Sequence, residues 1–209
     1  MSNWHRFTDS DVEIEQQEPK FEGFFTVFNY KLRHKLFAGG WSGWISREVL
    51  DRGHAVAMLP YDPVRQEFVM IEQFRVGAVP TSNKPWLLEI VAGMIDEGET
   101  REAVALREAQ EEAGLEVKSL IELTDYLPSP GGATERLYLY LGIVDAQEAH
   151  GIHGLDHENE DILVHRIPEA QVWELLKLGE FDNSATIIAL QWFFLHKQEL
   201  LEKVAANKV

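Results

Sequence analysis

Residues 93–115 read GMIDEGETREAVALREAQEEAGL, a glycine turn running into a helix that carries Glu108, Glu111 and Glu112. Positions three and four apart on a helix are neighbours, so these carboxylates crowd one side, and like charges so placed cost roughly 0.2–0.5 kcal/mol per pair. A bound cation would supply the missing charge. Thr100 is suited to cap the helix and Gly114 to end it in the left-handed conformation. A helix is therefore expected over residues 100–113, with Ala103, Leu106 and Ala113 as a partial inner stripe.

Around this helix the pattern is mostly strand. Residues 54–59 and 67–76 read as strands joined by the turn-forming YDPVRQ, and residues 86–92 form another that leads straight into the glycine turn. Residues 121–127 and 137–144 flank the loop PSPGGATE, and 162–167 follow the acidic HENED loop. Two helices are expected near 169–178 and 184–205. Upstream, residues 1 to about 20 are polar and acidic, the composition of a mobile or edge segment. Residues 24–50 alternate aromatic or β-branched with polar side chains and are broken at Gly39 and Gly40, as hairpin-like strands are. Strands and helices mixed without strict alternation predict an α/β (α+β) fold, a mixed sheet covered by helices. The chain divides into an N-terminal β-rich segment, 1–50, and a main domain, 51–209.

Composition removes several functions. Nineteen basic against 35 acidic residues give a formal charge of -16, which repels nucleic acid and anionic membranes, so neither is an expected partner. With no cysteine there is neither a disulfide framework nor thiolate chemistry, which fits a reducing compartment. The start, MSNWHRFTDS, lacks the apolar core of a signal peptide. The longest apolar stretch, 187–195, is interrupted by Gln191 and falls far short of the roughly 20 residues a membrane helix needs. A cytoplasmic enzyme or binding protein is expected.

The segment from Gly93 resembles the box of the Nudix family, G-x5-E-x7-R-E-U-x-E-E-x-G-U with U a bulky aliphatic residue. Gly93, Glu99, Arg107, Glu108, Glu111, Glu112, Gly114 and Leu115 match; Ala109 stands where Ile, Leu or Val is usual, which points to altered packing under the helix. Carboxylates on one helix side suit hard divalent ions such as Mg²⁺, with Mn²⁺ an alternative, because these ions prefer oxygen ligands. The resemblance implies Glu108, Glu111, Glu112 and the carbonyl of Ala92 as metal ligands. Arg107 reads as a charge partner that orients carboxylates, Glu99 among them.

Beyond the box the chain is similar to bacterial ADP-ribose pyrophosphatases, through RGHAVAMLPYDP, EQFR, PWLLEIVAGM, SPGGATER and GIHGLDHENED, and through Pro130, sixteen residues past Gly114. This implies an α/β/α sandwich and metal-dependent hydrolysis of ADP-ribose to AMP and ribose 5-phosphate. It also implies Glu158 as base beside the catalytic Glu112, Glu160 as a further metal ligand, and a homodimer. His157 reads as a neighbour of these. For substrate, Phe24, Phe25 or Phe28 would stack on adenine, the resemblance favouring Phe24; Arg47 and Arg75 would fork onto phosphate oxygens, and Glu135 would bind ribose hydroxyls or orient water. Each phenylalanine is equally suited to a sheet core, either arginine to an exposed surface, Glu135 to a strand end, and Glu158 and Glu160 to an exposed acidic loop. Rival readings are a hydrolase of another nucleoside diphosphate sugar, such as GDP-mannose, and a non-catalytic nucleotide sensor. A sensor would be expected to lose box glutamates.

Overall fold

A computed structural model describes residues 4–206 of the protein; residues 1–3, the first of the segment expected to be mobile or an edge, lie outside them. The chain forms two compact units, one comprising the N-terminal part up to Gly53 together with Leu127–Glu135, the other His54–Tyr126 with the chain from Arg136 onward.

The first unit is a three-stranded antiparallel sheet in the order β1 (Val12–Glu22), β2 (Thr26–His34), β3 (Ile45–Asp51). The acidic segment is thus an eleven-residue edge strand, nearly all of it exposed. The Arg33 guanidinium lies over both Trp41 and Trp44, 4.9 Å from each ring centroid, which gives this thin sheet a partly apolar face. Residues of the PSPGGATE loop extend it: Leu50 donates to Gly132 at 2.8 Å and accepts from Thr134 at 3.0 Å.

The second unit is an eight-stranded mixed sheet between helices. Its strands are β4 (Ala55–Asp62), β5 (Glu67–Phe74), β6 (Trp86–Glu89), β7 (Val91–Met94), β8 (Ser119–Tyr126), β9 (Leu137–Ile143), β10 (Ile152–His153) and β11 (Ile162–Pro168). The spatial order is β10-β11-β5-β4-β9-β8, with β6 on β5 and β7 on β4; β4 and β9 run parallel and the other pairs antiparallel. Its helices are α1 (Arg101–Ala113), α2 (Glu169–Leu178) and α3 (Ser184–Ala206), the last interrupted at His196.

Every residue of β4 is buried, because side chains alternate across a sheet covered on both faces. Ala55, Ala57, Leu59 and Tyr61 face the layer that holds Val172 of α2 and Ala189, Leu190 and Phe193 of α3. Val56 and Met58 face Val104, Ala105, Ala109 and Ala113 of α1. This is an α/β/α sandwich. Of the expected inner stripe of α1, Ala113 is buried but Ala103 and Leu106 are exposed, the latter 46%; Val104, Ala105, Ala109 and Glu112 are buried in their place. Ala109 is fully buried in the same layer as Val56 and Met58.

One buried charge serves the fold alone. Burial by itself would raise the Asp62 carboxyl, but the N–H groups of Ala146, Arg65 and Val64, at 3.0, 3.0 and 2.8 Å, and the Arg65 guanidinium at 2.9 Å outweigh it and hold it down to about 2. A depressed carboxyl contributes stability that is fully present above the unfolded pKa of about 4 and disappears as pH falls through the folded value. Asp62→Asn is therefore expected to lose about 2 kcal/mol at neutral pH and to flatten the acid limb of stability between about pH 4 and 2. Urea midpoints across that range check it; parallel acid limbs in variant and parent would contradict it.

Candidate active site

The glycine turn and α1 build a cluster of carboxylates against the end of the sheet. Thr100 caps the helix, its side chain accepting from the Ala103 N–H at 3.2 Å, and Gly114 closes it at φ 62°. Between these ends, Glu108, Glu111 and Glu112 project beside β7.

Glu112 is 3% exposed. Its Oε2 accepts from the Ala92 N–H at 2.9 Å and its Oε1 lies 3.4 Å from the Gln73 Nε2 donor. Burial pushes its carboxyl up to about 8 against the Ala92 N–H, with Glu108 and Glu160 adding to the rise and Arg75 opposing it. Burial likewise raises Glu108 to about 7; Arg107 opposes this, and Glu111 and Glu160 contribute to it. Glu160 is thereby a neighbour of the cluster, although it is 48 positions from Glu112 in the chain.

Arg107 supplies one positive charge among these carboxylates. Its Nε and Nη2 donate to the two oxygens of Glu99, each at 3.1 Å, and Nη1 donates to Glu108 at 2.7 Å and Glu111 at 3.1 Å. The fork onto Glu99 is the bidentate geometry for which guanidinium is suited. It holds Glu99 below the usual carboxylate range. The orienting role read from the spacing is thus realised, with Glu99 as the fork's partner.

Gly93 is required by contact. A Cβ there would lie 1.7 Å from Glu108 Oε1 and 2.1 Å from its Cδ, so only glycine lets Glu108 cross the turn in this position. The donors of the cluster are all carboxylate oxygens, the class hard divalent ions prefer. In chemistry they fit such an ion. Among the described residues no three carboxylate or imidazole groups already converge on one ion-sized point, since Glu108 and Glu111 are turned onto Arg107.

The other expected residues are dispersed. Glu158 lies in the exposed turn Asp156–Glu158, its carboxylate 3.6 Å from His157 Nε2. Glu160 accepts from the Leu155 N–H at 3.2 Å, which folds the same loop. Arg75 is not an ordinary surface charge: its Nε and Nη2 donate to buried Glu89 at 2.9 and 2.8 Å. Phe24, Arg47 and Glu135 belong to the other unit. Phe24 is 89% exposed, which removes it from the sheet core, and stands edge-on to Phe25. Arg47 donates to the Ser46 carbonyl at 2.7 Å, and Glu135 lies 3.6 Å from Arg52. The sequence reading missed Gln73, Glu89 and Asn183, buried or half-buried polar groups behind the cluster. A partial signal was present in Glu89, a charged residue set between the apolar Leu88 and Ile90.

No helix among the described residues is long and apolar enough to cross a membrane. Comparison with known proteins agrees with the box. An ADP-ribose pyrophosphatase of Escherichia coli (strain K12) is 52% identical over 194 residues, covering 93% of each chain. One of Haemophilus influenzae is 45% identical over 203 residues, 96% of this chain and 94% of that one. A GDP-mannose pyrophosphatase of Enterobacter sp. (strain 638) is 38% identical over 148 residues, 70% of this chain and 76% of its own. In fold, the chain is similar to the crystal structure of an ADP compounds hydrolase, with a TM-score of 0.69 and 22% identity over 90% of this chain and 96% of that one. The NUDIX domain family matches residues 51–191, which contain the glycine turn, the carboxylate helix and the acidic loop, and the chain belongs to that family, with the divalent-metal requirement that membership implies.

Proposed function

We propose that the protein hydrolyses the pyrophosphate bond of ADP-ribose, adding one water to give AMP and ribose 5-phosphate, with Mg²⁺ as the ion and Mn²⁺ able to replace it. The observation that carries this reading is the carboxylate cluster braced by Arg107, with Glu112 buried beneath it, in a chain 52% identical along almost its whole length to a protein named for that activity.

Glu108, Glu111, Glu112, Glu160 and the Ala92 carbonyl would hold the ion. When bound, it neutralises diphosphate charge and lowers the pKa of an attacking water. Arg75, fixed by Glu89, offers its remaining donors to phosphate oxygens. Glu158, on its exposed turn, accepts the proton released as water attacks phosphorus. Phe24, exposed and flat, is assigned to stack on adenine; Arg47 is assigned to phosphate and Glu135 to the ribose or the water. We place the protein in the cytoplasm as a homodimer, supported by an edge strand and an aromatic sheet too small to form a core alone.

A second reading, hydrolysis of GDP-mannose, is favoured by the 38% identical relative and keeps the same ion site. Turnover of ADP-ribose, GDP-mannose and NADH at saturating Mg²⁺ separates the two: kcat/KM for ADP-ribose is expected to lead by at least about tenfold. A lead for GDP-mannose would overturn the substrate, and hydrolysis of none of the three would favour a nucleotide sensor. Running the reaction in ¹⁸O water identifies which phosphorus is attacked.

A further inference from the structure

Among the described residues five polar or charged side chains are buried: Asp62, Gln73, Glu89, Glu112 and Thr186. Asp62 is accounted for by its own loop. The other four belong to one connected chain behind the carboxylate cluster. Gln73 Nε2 stands between Glu112 Oε1 at 3.4 Å and Glu89 Oε2 at 3.5 Å. Glu89 Oε2 also accepts from Arg75, and its Oε1 accepts from Asn183 Nδ2 at 2.8 Å. Asn183 Oδ1 accepts the Thr186 N–H at 3.1 Å, and Thr186 Oγ1 accepts the Ile90 N–H at 3.2 Å.

Burying a carboxylate costs several kcal/mol unless its oxygens are met, and here both oxygens of Glu89 are spent on named donors. The strand does not call for a carboxylate here: its neighbours Leu88 and Ile90 are apolar, and its partner across the β5–β6 pair is the apolar Ile71. Gln73 and Arg75, two apart on the same extended segment, share a face and so meet Glu89 together. A neutral amide donor between two carboxylates also keeps their like charges apart while tying them to one nitrogen.

We propose that Glu89 and Gln73 are positioning residues, Glu89 fixing the Arg75 guanidinium and Gln73 carrying that constraint to Glu112, so that the phosphate-binding cation and the ion-holding carboxylate share one frame. The inference rests on the roles given above to Arg75 and Glu112. Three variants of the full chain test it beside the parent: Glu89→Gln, Gln73→Leu and Arg75→Ala. Glu89→Gln keeps the shape and removes the charge that holds Arg75; KM for ADP-ribose is expected to rise about tenfold with kcat within about threefold. Gln73→Leu removes the shared donor; the Mn²⁺ dissociation constant, read from the spin resonance of free Mn²⁺ without substrate, is expected to rise about tenfold.

A bridge that served stability alone would lower the melting temperature and leave KM and Mn²⁺ affinity at parental values, which would overturn the proposal. If Arg75→Ala raises KM and Glu89→Gln does not, the bridge falls while the phosphate role of Arg75 stands. If Arg75→Ala leaves KM unchanged, that role falls and the bridge with it. Should Glu89→Gln fail to fold, the Mn²⁺ affinity of Gln73→Leu decides, an unchanged value overturning the proposal.

Discussion

Glu112→Gln is expected to lower kcat for ADP-ribose about 10³-fold at saturating Mg²⁺, a loss of about 4 kcal/mol of transition-state stabilisation. The size follows from where the group sits. Glu112 is the most deeply buried carboxylate of the cluster and contacts both the Ala92 N–H and Gln73. A glutamine carbonyl can still accept from Ala92, so the side chain stays in place while its negative charge is lost. Burial already favours the neutral form of Glu112 near pH 7, so the amide is no costlier to bury and the melting temperature without metal is expected to fall only by what the lost Gln73 contact is worth, about 1 kcal/mol. Catalysis and stability thus move apart, which a general packing defect would not produce. Hydrolysis within tenfold of the parent would remove Glu112 from the reaction.

What could be read from the sequence was what is local in it. The box residues meet because a helix brings positions 107, 108, 111 and 112 together whatever surrounds it, and the Thr100 and Gly114 caps are equally local. The buried face of α1 was harder. Alanines and glutamates fill most of the helix and give little contrast, so Leu106 was drawn inward by its hydrophobicity although Val104 and Ala105 face the sheet. β1 offered only the short alternation Val12-Glu13-Ile14-Glu15 before a polar run, and nearly every side chain along it is exposed; its pairing with β2 defines it as a strand. The sequence suits Phe24 equally to core and to stacking, and only the turn between β1 and β2 shows it exposed. The Gln73, Glu89 and Glu112 contacts span 16 and 39 positions, and no local periodicity reports such partners.

Gly93→Ala is expected to cost about 10²-fold in kcat and to weaken Mn²⁺ binding if Glu108 holds the ion as proposed, because placement of such a carboxylate is worth about that much. A single methyl group does this by contact. The added Cβ would lie 1.7, 2.1 and 2.5 Å from Oε1, Cδ and Cγ of Glu108, far inside van der Waals distance. The backbone at Gly93 is ordinary β7 strand paired with Val56, so it has no reason to move, and the side chain of Glu108 yields instead. Because that side chain is flexible, the displacement costs only about 1 kcal/mol of stability, the scale of an off-rotamer side chain. Its 2.7 Å contact with Arg107 is broken in the process, while the guanidinium stays on Glu99 and Glu111. Gly43→Ala, where an added Cβ meets nothing within 4 Å, is the control and is expected to behave as the parent. Measuring kcat, Mn²⁺ affinity and melting temperature for both variants separates the causes. A Gly93→Ala protein with parental kcat and Mn²⁺ affinity would mean that Glu108 works as well from elsewhere, and the glycine would then have no catalytic reason to be there.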